Sequence, residues 1–83
     1  MINIIVEYFE IYNLGGKLSE TKYHTRRMEA ESLAVLANEV VFRDSEGMSL
    51  VIQFDKLIRL KINGREINSF KREDLIKTFV EEC

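Results

Sequence analysis

Apolar residues in this chain recur mostly at every second position, the period of a β-strand. Residues 2–13, INIIVEYFEIYN, place Ile2, Ile4, Val6, Tyr8 and Tyr12 on one parity and Ile5, Phe9 and Ile11 on the other. This density of β-branched and aromatic side chains predicts a strand. Apolar residues on both parities predict a strand that is central, bulged or covered by another element. Gly15-Gly16 permits the positive φ of a tight reversal. Residues 18–26, LSETKYHTR, then read as a polar return strand, with Leu18, Thr21 and Tyr23 its best strand formers. So many polar groups suit an edge, where charge discourages pairing with other chains.

Residues 28–37, MEAESLAVLA, carry two patterns. Met, Glu, Ala and Leu favour helix, and Leu33, Leu36, Ala37 and Val40 fit one helical face with Thr25 as its cap. Against this, Leu33, Val35 and Ala37 alternate, and Asn38-Glu39 turns directly into the next segment. Strand is the favoured reading; a second helix over about 26–37 is the alternative.

The rest of the chain is clearer. Val40, Val41 and Phe42 stop at Arg43-Asp44-Ser45-Glu46-Gly47, a type I turn with glycine in the left-handed position. Met48, Leu50, Ile52 and Phe54 then alternate with Ser49, Val51 and Gln53. After Asp55-Lys56, strict alternation turns Ile58, Leu60 and Ile62 inward and Arg59 and Lys61 outward. Asn63-Gly64 signals a short hairpin, and Arg65-Glu66-Ile67 begins a short return. Asn68 or Ser69 caps a final helix over about 70–82, with Leu75, Ile76, Phe79 and Val80 as its apolar stripe. Glu73 and Asp74 suit the positive end of the helix dipole; Glu81 and Glu82 oppose its negative end, which is expected to fray.

The elements sum to a mainly β, α+β fold. An antiparallel meander of five or six strands forms a small barrel-like or curled sheet, with the C-terminal helix packed on it. No repeat or linker interrupts the pattern, so residues 1–83 read as a single domain.

Composition narrows the function classes. Apolar residues at 46% and charged residues at 31% exclude a disordered chain, and no apolar run approaches a membrane span. Met1 to Glu10 lack the basic start and apolar run of a signal peptide, so a cytoplasmic protein is expected. The single cysteine, Cys83, cannot close an internal disulfide, which fits that compartment. A net charge of −2 argues against a general nucleic-acid or acidic-membrane binder. The chain has no Pro or Trp and is rich in Ile, Asn and Lys, a usage typical of AT-rich bacterial or phage genomes.

Catalytic chemistry lacks its parts. His24 is the one histidine and Cys83 the one cysteine, too few for a zinc site. Asp44-Ser45-Glu46-Gly47 is too short for a calcium loop. His24 has no motif-supported nucleophile beside it, and the glutamates before Cys83 work against a thiolate. Gly15-Gly16-Lys17 lacks phosphate-loop spacing. Glu7 and Glu10 have opposite parity and cannot form an acid–base pair on a regular strand. Neither an enzyme nor a cofactor is therefore expected.

Two binding surfaces remain. Tyr8, Glu10, Tyr12 and Tyr23 are candidates for a protein interface, since tyrosine adds contact area at low entropy cost. Arg59, Lys61, Arg65, Lys71 and Arg72, opposed only by Glu66, are candidates for a basic stripe. The favoured reading is a small non-catalytic interaction module, of the regulator or inhibitor kind, that docks on a larger protein. A homodimer through a β-edge fits the same features. The alternative is a nucleic-acid-binding accessory protein that uses the basic stripe.

Overall fold

The computed structural model describes residues 1–82; Cys83, and with it the expectation for its thiol, lies outside the described residues. Among the described residues, seven strands form two antiparallel sheets with one helix after them. The strands are β1 (Ile2–Gly15), β2 (Leu18–Ala30), β3 (Ser32–Val35), β4 (Glu39–Arg43), β5 (Ser49–Gln53), β6 (Leu57–Ile62) and β7 (Arg65–Glu66). The helix, α1, covers Arg72–Glu82. One sheet has the order β2-β1-β6-β7 and the other β3-β4-β5.

Within residues 26–37 the chain is strand up to Ala30 and again over Ser32–Val35, so the strand reading holds there and no second helix forms. The chain bends at Glu31 between β2 and β3, and the Glu31 N–H donates to the Arg43 carbonyl at 2.7 Å. That bend carries one continuous polypeptide edge from the first sheet into the second. The sheets do not close into a barrel. A 3₁₀ turn at Phe54–Lys56 lifts the chain off β5 and delivers it to β1, so β5 and β6 are not ladder neighbours.

Even-numbered residues of β1 face the core. Ile4, Val6 and Tyr8 pack with Phe42 and Val40 of β4, Ile52 of β5, Leu60 and Ile62 of β6, and Leu75 and Phe79 of α1. Phe79 meets Phe42 ring to ring at 6.4 Å. Val80, expected on the same stripe, stands in water instead, because the apolar side of this helix is narrower than four residues.

Strict alternation fails at one place on β6. Glu7 pairs with Arg59, but Tyr8 pairs with Leu57, so Ile58 is an extra residue on β6. This is a β-bulge. It turns Leu57 inward and Ile58 outward, correcting the expectation that Ile58 lies in the core.

The turns follow local chemistry. Asn63 and Gly64 both have positive φ, 51° and 81°, as a two-residue turn of this hand requires. Asn63 also ties β1 down: its N–H donates to the Asn3 carbonyl at 2.8 Å, and its Oδ1 accepts from the Asn3 N–H at 2.9 Å. At the β4–β5 turn, Asp44 Oδ1 accepts from the Glu46 and Met48 N–H groups, both at 2.9 Å. The helix begins later than the cap signals predict. Its first bond runs from the Leu75 N–H to the Lys71 carbonyl, while Ser69 Oγ donates to Asp74 Oδ2 at 2.6 Å just ahead of it.

Candidate functional site

The main surface feature follows from unequal strand lengths. β1 is 14 residues long, whereas β6 is six residues long and pairs with β1 only between Ile4 and Tyr8. Beyond Tyr8 the β1–β2 ladder runs on as a two-stranded ribbon through Phe9↔Tyr23, Ile11↔Thr21 and Asn13↔Ser19 to the glycine turn. This arm belongs to a molecule measuring 44 × 28 × 22 Å. Ile11, Leu14, Leu18 and Tyr23 on it are all more than half exposed.

The arm has an open backbone edge on the β6 side. Asn3 bonds toward β6 through its carbonyl, so odd-numbered residues of β1 point their backbone groups to that side. The ladder with β2 is regular as far as Asn13. Ile11 and Asn13 therefore aim their N–H and C=O groups at the side β6 has vacated. That edge borders a cleft of about 350 Å³, lined by Tyr8, Glu10, Val51, Gln53, Glu39 and Lys56 among others.

The inner face of the arm carries a polar cluster. Tyr8 and His24 are register partners, and their rings stack at 5.1 Å. Tyr12 donates from its hydroxyl to Glu10 Oε2 at 2.6 Å, and Glu10 Oε1 lies 3.6 Å from His24 Nε2. His24 Nε2 is shielded from water and has no hydrogen-bond partner. Lys22, paired with Glu10, sets its Nζ 5.3 Å above the Tyr12 ring. The bond to Glu10 holds the Tyr12 phenol above its ordinary pKa, and partial burial and the Glu10 charge add to the effect. One carboxylate thus accepts from a phenol and lies beside an imidazole at the root of the arm.

The candidate interface residues divide between faces. Tyr8 lies in the core. Glu10 and Tyr12 come together on the inner face. Tyr23 sits on the outer face, tilted against Phe9 at 6.4 Å. The candidate basic residues are also dispersed. Arg59 and Lys61 share the outer face, where Arg59 Nε meets Glu66 at 3.1 Å. Arg65 turns to the helix side and bonds Glu81 at 3.4 Å. Arg72 Nε reaches the Leu36 carbonyl at 3.3 Å, and Lys71 stands exposed just before the helix.

Sequence reasoning missed the exposed apolar residues Ile11, Leu14 and Leu18. The available signal was length: an apolar run over 2–13 is twice as long as the strand that could cover it. It also missed a shallow groove of about 290 Å³ between β3 and α1, lined by Leu33, Val35, Ile76, Phe79 and Val80. Among the described residues, no three His, Cys, Asp or Glu side chains are grouped to hold a metal ion. Among them, no helix is long and apolar enough to cross a membrane. Comparison with protein families, with curated proteins and with solved structures returns no match to this chain.

Proposed function

We propose that this chain is a small non-catalytic docking module, a regulator or inhibitor by type, that presents its β1–β2 arm to a larger protein. The observation that carries the reading is the arm with its vacated edge. A two-stranded ribbon is marginal on its own in water, and apolar side chains at its tip make it a poor resting surface. A partner strand laid along Ile11 and Asn13 continues the ladder where β6 stops, and meets backbone donors and acceptors already set in register. The single cysteine suits a cytoplasmic setting.

The nucleic-acid reading draws its support from the outer face, where Arg27, Arg59 and Lys61 lie with the Phe9–Tyr23 pair. Aromatic rings among cations are what a single-strand binder uses. Glu7, Glu29 and Glu66 share that face, three carboxylates against three cations, so it offers phosphates no net attraction. The protein-docking reading is the stronger.

The test is capture from a lysate with tagged wild-type protein and an Ile11→Pro variant, each with and without nuclease. Proline removes one open-edge donor and leaves the β1–β2 bonds intact, since the Ile11 N–H faces away from β2. The expected result is a discrete protein that survives nuclease and is lost with Ile11→Pro, while circular dichroism shows the variant folded. Equal capture by both proteins, or capture abolished by nuclease, would overturn the reading.

A further inference from the structure

The other edge of the arm has a separate use, one that does not need the partner proposed above. β2 ends the first sheet, and among the described residues no strand covers its outer side. Even-numbered residues of β2 face β1, so Ser19, Thr21, Tyr23, Thr25, Arg27 and Glu29 aim their backbone groups outward. Glu31 bonds β4 from that same side, so the free edge stops short of residue 31.

We propose that two copies of this chain join through β2, antiparallel, with Tyr23 on the two-fold axis. The strand is self-complementary in one register. A two-fold pairing of edges must set odd residues opposite odd and even opposite even. With the axis at Lys22, that lysine faces itself and no opposite charges meet. With the axis at His24, Lys22 faces Arg26. With the axis at Thr25, His24 faces Arg26 and no opposite charges meet. With the axis at Thr21, Glu20 gains Lys22, but the ladder is cut short by the hairpin turn.

With the axis at Tyr23 the pattern fits. Glu20 of one protomer faces Arg26 of its partner, Leu18 faces Met28 and Thr21 faces Thr25, and each pair occurs twice by symmetry. Lys22 opposite His24 is the one unfavourable rung. Among the described residues, neither Glu20 nor Arg26 has an ion partner within its own chain. On the outer face the two Tyr23 rings meet, each backed by its own Phe9, and four aromatic rings form one row. Tyr23 is 74% exposed in the single chain, and this pairing removes that apolar surface from water. Ser19 to Arg27 would exchange about ten backbone hydrogen bonds across the axis.

Charge reversal tests the register as well as the dimer. Glu20→Arg sets Arg against Arg26, and Arg26→Glu sets Glu20 against Glu, each twice. Either change alone is expected to weaken self-association about 10-fold or more. Mixed together, the two variants restore opposite charges at both positions and re-form a heterodimer. Sedimentation velocity across a concentration series reads the mass, and circular dichroism confirms that each variant is folded. A wild-type mass of one chain at every concentration would overturn the proposal. So would a dimer indifferent to either reversal, or single variants that fail to associate on mixing. Both substitutions leave Ile11, Leu14 and the β1 edge untouched, so capture of a second protein stands or falls separately.

Discussion

The β6 bulge makes adjacent residues differ in energetic weight, and the difference is measurable. Leu57 is 8% exposed and belongs to the core; Ile58 is 45% exposed and belongs to the outer face. Replacing Leu57 by alanine removes three buried carbons, about 2.4 kcal/mol at ~0.8 kcal/mol per methylene. The cavity left behind raises the total to about 2.5–4 kcal/mol. Replacing Ile58 by alanine removes the same three carbons, but about half of that surface is already wet. With no enclosed cavity, the loss is about 1 kcal/mol or less. For a domain of this size one kcal/mol moves Tm by about 4–8 °C. Leu57→Ala should therefore lower Tm by more than ~10 °C, and Ile58→Ala by no more than ~8 °C. Urea titration provides the check, with the midpoint shifting and the slope unchanged if the reasoning is right. If Ile58→Ala cost as much as Leu57→Ala, simple alternation would govern β6 and the bulge assignment would be wrong.

Two further outcomes follow from local geometry. Glu10→Ala removes the acceptor of the Tyr12 hydroxyl, so the Tyr12 midpoint should fall toward the ordinary value of about 10 in a ring-labelled NMR titration. Because the folded state raises this pKa, its stabilisation is fully present below the unfolded value and is lost as pH rises through the folded one; an unmoved midpoint would disprove the coupling. Asp44→Ala strips the acceptor from two backbone N–H groups and should cost about 1–2 kcal/mol in urea unfolding. Asp44→Asn should cost much less, and equal losses would show that the turn does not depend on Oδ1.

The strand order along the chain was largely legible because side-chain period and turn chemistry agree. Asn63-Gly64 and Asp44 to Gly47 both mark turns that form where their residues predict. Residues 28–37 resolve to strand because Leu33 and Val35 find Phe42 and Val40 across a ladder, a tertiary fact that outweighs helix propensity. The bulge was not legible, since Leu57 and Ile58 are equally apolar and only the pairing with β1 selects between them. The candidate surface was half legible. Tyr8 and Tyr12 share a parity, but parity alone does not say where β6 ends, and that boundary separates a buried tyrosine from a solvated one. Arg65 likewise follows its neighbours in sequence while facing the opposite side of the sheet from Lys61.

The pairing of β1 with β6 also dictates an order of events during synthesis. Ile4 and Ile62, register partners, are 58 positions apart, so the first hairpin is complete long before its other neighbour exists. At ribosomal rates of about 5–20 residues per second, the open edge of β1 waits some seconds for its partner strand. Contacts of such long range also slow the final closure, because the intervening loop must be gathered first. In that interval the nascent hairpin is a template without its mate, and a β6 from a neighbouring chain fits it as well as its own. Crowded translation on one message therefore favours strand-exchanged oligomers, and the topology makes the rate of synthesis part of what determines the yield of correctly closed monomer fold.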